Sequence, residues 1–282
     1  MSEVLSFGMV GGGMGSLIGE VHRKAAAFDR KAKLVAGCFS RNYDNTLSTG
    51  KNLGLEGRRL YENFNEMAER EGAREDKIDF VTIVTPNNLH FEIAKAFLEK
   101  GINVICDKPL TLKVEDAKKL ANLAKKRDLL NCITYTYSGY PMVKHAREII
   151  SQGKIGKIRM VMGEYLQEWL ARPVEKKGNR QASWRTDPQY SGKSNCVADI
   201  GSHIENIISY VTDLEIDSLC ANLDTFVKGR ALDDNAEILI KYTSGARVCY
   251  LWRINRRSNR DDKGSYRIIL RKFKVSSRRN PQ

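Results

Sequence analysis

Apolar positions in the first half of the chain switch repeatedly between continuous runs and helical spacing. Residues 5–10 form a short apolar run that ends in glycines, and residues 16–28 carry apolar side chains at helical intervals. A second run, KLVAGCF at 33–39, precedes helical segments near 42–53 and 62–71. The stretch IDFVTIVT at 78–85 reads as a buried strand, 91–100 as a helix and 103–106 as another strand. Residues 114–126 are strongly amphipathic, and 131–137 return to strand character. Strands separated by helices of this length indicate βαβ units and a parallel sheet. The pattern predicts a first domain over residues 1–134.

The second half reads differently. A helix at 142–151 leads through a glycine-containing turn at 152–156 into a strand at 157–165. Residues 168–194 are polar and too long for an ordinary connection, which predicts a functional loop. A helix at 197–211 is followed by strand runs at 218–227 and 236–242 with no helix between them. The expected fold class is a doubly wound α/β domain with a mostly parallel sheet, then an α+β domain at 135–282. The second sheet is expected to be largely antiparallel and incomplete at the C-terminus.

Composition narrows the class. The chain has 282 residues, 41% hydrophobic and 29% charged, as an ordinary globular protein has. No run approaches 18 apolar residues, so no transmembrane helix is expected, and no basic region precedes the first strand as a secretory signal would require. Six cysteines (Cys38, Cys106, Cys132, Cys196, Cys220 and Cys249) lie far apart, with no C-x-x-C and no nearby histidine pair. That spacing argues against a metal site and a disulfide framework, and it fits reduced thiols in the cytoplasm.

The formal charge of +13 is unevenly placed. Residues 247–282 hold twelve Lys/Arg against two acids, a local +10, which leaves +3 for the first 246 residues. The basicity therefore belongs to a segment.

Five segments carry chemistry. Gly11-x-Gly13-x-x-Ser16, with Met14 inside it, closes the first strand and opens the first helix. It matches the dinucleotide fingerprint of a Rossmann domain, in which a tight, bare turn lets a pyrophosphate approach a helix N-terminus. The second strand ends in Ser40-Arg41-Asn42. An acid there would serve the ribose of NAD, whereas a cation and a hydroxyl suit a 2′-phosphate, so NADP is favoured and NAD stays open. Thr85-Pro86-Asn87-Asn88-Leu89-His90 and Cys106-Asp107-Lys108-Pro109-Leu110 each follow a strand. Strand ends of this kind are where ligands of open parallel sheets bind. Asp199-Ile-Gly-Ser-His203 opens a helix in the second domain, and its spacing puts acid and histidine on one helical face.

Together these motifs resemble the Gfo/Idh/MocA oxidoreductases, the glucose–fructose oxidoreductase and inositol dehydrogenase group. Tyr135–Pro141, Trp184–Pro188 and Asp199–His203 are similar to its levoglucosan dehydrogenase-like sugar dehydrogenases. The resemblance covers about residues 4–246 in order. It implies hydride transfer between a nicotinamide and a secondary alcohol of a sugar or cyclitol. On the matching positions, Lys108 donates to the reacting oxygen, His203 is the general base or acid, and Asp199 holds substrate hydroxyls. Gly11, Gly13, Met14, Ser40, Arg41, Thr85, Pro86, Asn87, His90, Asp107 and Lys108 fall around the cofactor. Asn87 and His90 approach the nicotinamide ribose, and Tyr137, Trp184 and Arg185 line the sugar pocket. The family commonly forms homo-oligomers through the second-domain sheet.

Three features depart from the family. Asp107 stands where glutamate is usual, the run 192–198 is less glycine-rich, and the resemblance is expected to end near Arg247. A hairpin at 243–247 calls for a returning strand that the expectation lacks. The abrupt change predicts a frameshift or altered 3′ end, the alternative being a genuine basic appendage at 248–282. With Trp252, Tyr266 and Phe273 among its cations, that appendage would bind nucleic acid or acidic lipid. Two other function classes compete with a dehydrogenase, one being a nucleotide-binding redox sensor without turnover. Retention of Lys108, Asp199 and His203 argues against it. A nucleic-acid binder rests on the tail alone, and the near-neutral body argues against it.

Overall fold

The computed structural model describes residues 4–253 and 265–271, and the chain divides into two units between Thr134 and Tyr135. In the first, β1 (Leu5–Gly11), β2 (Ala32–Cys38), β3 (Phe80–Val84), β4 (Asn103–Cys106) and β5 (Asn131–Ile133) form a parallel sheet in the order β2-β1-β3-β4-β5. The connecting helices are α1 (Leu17–Ala27), α2 (Tyr43–Asn52), α3 (Phe64–Gly72), α4 (His90–Glu99) and α5 (Val114–Lys126). Alternation along β1 explains why both faces of the sheet are covered. Phe7 and Met9 join Phe39, Leu60 and Val84 in one buried cluster, while Val10 joins Ile83, Phe97 and Val104 in another. Gly8 keeps the second face open for α3, because a Cβ there would sit 2.4 Å from the Met67 methyl. The strand order reverses between β1 and β3, the crevice where doubly wound sheets bind ligands.

A buried ion pair ties the segment at Arg59 to α3. Arg59 donates to both oxygens of Glu71, at 3.0 and 2.5 Å, and the Tyr61 hydroxyl donates to the same carboxylate at 2.6 Å. The strand expected through 137 stops at Ile133. The Thr134 N–H still reaches the Cys106 carbonyl at 3.0 Å, after which the chain tightens into a 3₁₀ turn, Thr136–Gly139.

In the second unit, α6 (Pro141–Ser151) precedes β6 (Met160–Leu166), and α7 (Arg180–Arg185), α8 (Pro188–Ser191) and α9 (Ser202–Thr212) precede β7 (Ile216–Asp224) and β8 (Asn235–Tyr242). β9 (Arg247–Arg253) and β10 (Ser265–Arg271) complete a sheet in the order β10-β6-β9-β8-β7. The β6–β9 pair is parallel and the others are antiparallel. Inward side chains of β8 (Ala236, Ile238, Ile240 and Tyr242) pack with Ile204 and Ile208, one turn apart on α9.

Two expectations are corrected here. The returning strand does follow the hairpin: Gly245, at φ 85°, makes the turn, and β9 pairs along β8 from Arg247. Residues 168–194 are not an open loop but hold a 3₁₀ turn (Val174–Lys177), α7 and α8. Arg230, its side chain only 2% exposed, pins them: it bonds both Glu175 oxygens at 3.0 Å and the carbonyls of Leu170 at 2.8 Å and Arg172 at 3.0 Å. The basic residues at 254–264 and 272–282, with Phe273, lie outside the described residues. Among the described residues, no helix is long and apolar enough to cross a membrane.

Candidate active site

The glycine turn sits at the reversal point of the first sheet. Gly11 has φ 83°, and a Cβ there would lie 2.8 Å from the Val84 carbonyl oxygen on β3. Gly13 donates to the Phe39 carbonyl at 3.1 Å, and its Cβ would strike the Asn45 Oδ1 at 2.4 Å. Beside Gly15 nothing lies within 4 Å of the Cβ position, so bare backbone faces open space just before α1. Ser16 caps α1 by accepting the Gly19 N–H at 3.5 Å.

The close packing that a third fingerprint glycine provides falls to Gly19, whose Cβ would lie 2.4 Å from the Gly12 Cα. Sequence reading stopped at Ser16 and missed it, although a glycine inside an amphipathic helix was the available signal. Arg23 steadies the turn by donating to the Gly12 carbonyl at 2.7 Å, and the Met14 N–H donates to Thr49 Oγ1 at 3.1 Å. A turn of this kind fits a dinucleotide pyrophosphate.

Ser40 and Asn42 are spoken for locally. Ser40 Oγ accepts the Asn42 N–H at 3.1 Å, Asn42 caps α2 through the Asp44 N–H at 2.9 Å, and Arg41 is exposed. At the end of β3, Thr85 Oγ1 is buried with no protein hydrogen bond, and Asn87 is buried. After β4, Asp107 Oδ1 accepts the Lys108 N–H at 2.9 Å and the Thr134 hydroxyl at 3.0 Å.

His90 lies between the two strand-end segments. It is 0% exposed, with Nδ1 2.7 Å from the Pro109 carbonyl and Nε2 3.0 Å from the Thr85 carbonyl. Both ring nitrogens thus face protein oxygens, and the side chain braces the two strand-end segments against each other. Burial holds its pKa below the ordinary histidine value, against the pull of the two carbonyls and Asp107.

In the second unit, Asp199 lies in a π turn, Val197–Gly201, that runs into α9, and His203 is in the first turn of α9. The wider π turn displaces Asp199 from the simple α-helical register that its spacing suggested. Asp233 anchors this start: its carboxylate accepts the amides of Asn195 at 3.0 Å, Cys196 at 3.0 Å and Val197 at 3.3 Å, and the Ser194 hydroxyl at 3.0 Å.

Asp199 Oδ2 accepts from Arg185 Nε at 3.2 Å. The Arg185 guanidinium lies 4.1 Å over the Trp184 ring and 5.6 Å from the Trp169 ring, so these three expected or newly found residues form one cluster with Asp199. The His203 ring lies among tyrosines, 4.6 Å from Tyr137, 5.9 Å from Tyr135 and 6.3 Å from Tyr165 between centroids. Tyr137 and Tyr165 share a hydrogen bond of 2.6 Å between hydroxyls. Sequence reading named Tyr137, Trp184 and Arg185 but missed Tyr165, Trp169 and Asp233. Tyr165 was absorbed into a strand, Trp169 into a polar stretch, and Asp233 is remote in sequence from the turn it anchors.

Fold and glycine turn define a dinucleotide-binding α/β domain joined to an α+β domain. Residues 5–135 match the oxidoreductase family, NAD-binding Rossmann fold, and residues 143–272 match the GFO/IDH/MocA C-terminal domain. The chain belongs to the Gfo/Idh/MocA oxidoreductase family. The second match runs past Arg247, where the resemblance was expected to end, because β9 and β10 are strands of the same sheet.

The uncharacterized oxidoreductase YfiI of Bacillus subtilis is 36% identical over 255 residues, 89% of this chain and 65% of its own length. Levoglucosan dehydrogenase of Pseudarthrobacter phenanthrenivorans is 35% identical over 155 residues, 55% of this chain and 38% of its own. The chain thus spans less than two thirds of either curated relative. An inositol dehydrogenase homolog from Azotobacter vinelandii, solved with NAD+, superposes with a TM-score of 0.91 at 33% identity, covering 96% of this chain and 69% of that one. Its complex with NADH and myo-inositol gives a TM-score of 0.87 at 32% identity, with coverage of 96% and 69%.

Proposed function

We propose that the protein is a nicotinamide-dependent dehydrogenase acting on a secondary hydroxyl of a sugar or cyclitol. The observation that carries this reading is the Lys108 segment, held by Asp107 and His90 at the strand ends where the glycine turn opens. Gly11, Gly13, Met14, Thr85, Pro86, Asn87 and Asp107 surround the dinucleotide in this reading, and the orphaned Thr85 hydroxyl offers it a hydrogen bond. When bound, the nicotinamide supplies the hydride acceptor or donor.

The proton chemistry belongs to this chain. In oxidation the substrate O–H proton passes to the His203 imidazole as the C=O bond forms, and reduction returns it. The Lys108 ammonium is a donor to substrate oxygen and stabilises alkoxide character there. Asp199, oriented by Arg185, accepts from neighbouring substrate hydroxyls, and Tyr137 and Trp184 line the sugar. The relatives that support this substrate class are named for levoglucosan and bound to myo-inositol.

Within that reading the cofactor is NADP, because residues 40–42 present Ser40 and the exposed Arg41 and no carboxylate. The protein acts as a homo-oligomer through the outer face of the second sheet, where Leu239 is 59% exposed beside exposed Cys220. The test replaces Lys108 or His203 with alanine. Turnover is abolished while cofactor affinity, read from the fluorescence of bound NADPH, stays within about threefold of the parent chain. Turnover that survives both changes rules the mechanism out.

A further inference from the structure

The short helix α7 gathers two donor side chains around one amide. Gln181 and Arg185 stand four residues apart on it and share a face, with Trp184 beside them. Gln181 Oε1 accepts from Arg185 Nη1 at 2.8 Å and from the Trp184 indole Nε1 at 3.3 Å. Both of those groups can only donate, so the oxygen of the Gln181 amide, and not its NH2, occupies this position. The Gln181 backbone carbonyl accepts from the same Arg185 Nη1 at 3.1 Å, and Asp199 Oδ2 accepts from Nε at 3.2 Å. With the guanidinium also lying 4.1 Å over the Trp184 ring, its edge and its plane are both fixed. What remains is Nη2. Among the described residues it has no protein acceptor, and it is open to solvent.

We propose that Gln181 is a positioning residue, which holds Arg185 on its Trp184 seat so that Nη2 donates to an oxygen of the ligand. The ligand class, a hydroxyl, ether or carbonyl oxygen of a polyol, rests on the dehydrogenase reading, whereas the hold on the guanidinium does not. A planar group fixed before the ligand arrives loses little side-chain freedom on binding. An arginine released by Gln181 keeps its charge and its Asp199 contact but must be ordered by the ligand. That weakens binding and leaves the chemical step alone.

Gln181→Glu and Gln181→Met separate the acceptor from the shape. Glutamate keeps an oxygen for both Arg185 and Trp184, whereas methionine fills similar space and accepts only weakly. With myo-inositol and levoglucosan as probes and both nicotinamide cofactors, Gln181→Met should raise KM about 3- to 10-fold at nearly unchanged kcat. Gln181→Glu should restore KM to within about threefold of the parent. Added to Arg185→Lys, which has no planar group to hold, Gln181→Met should cost less than about twofold more. A rise in KM as large in Gln181→Glu as in Gln181→Met, or an undiminished one beside Arg185→Lys, means a merely structural glutamine and overturns the proposal.

NMR of the 282-residue chain with isotope-labelled guanidinium nitrogens reads the hold without turnover. The Arg185 signals are those that vanish in Arg185→Lys. Separate Nη1 and Nη2 resonances, kept apart by slow rotation about the Nε–Cζ bond, are expected in the parent and in Gln181→Glu, and merged ones in Gln181→Met. Merged resonances in the parent, or separate ones that survive in Gln181→Met, overturn the proposal. If the parent chain turns over neither probe while the resonances behave as expected, the dehydrogenase reading fails for these ligands and the hold on Arg185 stands.

Discussion

Replacing Asp233 with alanine removes the acceptor from the turn that carries Asp199 into α9. Three backbone amides and the Ser194 hydroxyl converge on this 7%-exposed carboxylate. A buried donor left unsatisfied costs about 1–3 kcal/mol, and loss of a capping side chain about 1 kcal/mol. Three amides set an upper limit of about 9 kcal/mol. Two effects lower it. The Val197 amide keeps a second acceptor in Ser194 Oγ at 3.1 Å, and the Cys196 amide keeps the Asp233 backbone carbonyl at 3.3 Å. Water can also enter the space that alanine vacates. The expected loss is about 3–5 kcal/mol, at the upper end for a single substitution. Asp233→Asn retains one acceptor oxygen and turns an NH2 toward the remaining amides, for a loss of about 2–3 kcal/mol. Urea unfolding measures both as a fall in midpoint at constant slope. A loss under about 1 kcal/mol for the alanine variant would refute the anchoring role.

Further consequences follow at three other positions. Gly19→Ala places a methyl 2.4 Å from the Gly12 Cα, where backbone meets backbone and nothing can yield. It should destabilise the protein by about 1–3 kcal/mol and weaken NADPH binding at least about tenfold by fluorescence titration. Unchanged affinity removes Gly19 from the cofactor turn. Arg41→Ala should raise the dissociation constant of NADPH about tenfold and leave that of NADH nearly unchanged, and equal effects on both would end the assignment of Arg41 to a 2′-phosphate.

Burial opposes the charge of Glu175, yet the Arg230 fork outweighs it and holds the carboxyl below its ordinary pKa. A depressed folded pKa stabilises above the unfolded value and is lost as pH falls through the folded one. Glu175→Gln is therefore less stable than the parent at neutral pH, and the difference closes below about pH 4. A gap that persists into acid contradicts this role.

The first unit was readable because its signals are local. Val114–Lys126 carries its whole amphipathic face within one helix, and the runs behind β1, β3 and β4 are apolar because both sheet faces are covered. What escaped depended on partners distant in sequence. Arg230 folds the polar stretch at 168–194 into short helices through Glu175, and no spacing rule links the two. Asp233 holds the turn that begins near Asn195 in the same manner. His90 was expected at the nicotinamide ribose from the family resemblance, and only the fold shows both its nitrogens meeting carbonyls. β9 was misjudged because charge at the end of the chain drew attention from the run Val248-Cys-Tyr-Leu-Trp252, which has the composition of a paired strand.

The activity proposed for the chain is hydride exchange between a nicotinamide and a polyol, with Lys108 taking part. Its most direct test follows the absorbance of the reduced cofactor while the 282-residue chain meets a panel of sugars and cyclitols with NAD and with NADP. Reduction of NADP by at least one member, lost in Lys108→Ala, is the predicted result. Measurable cofactor binding with no turnover of any member would contradict it.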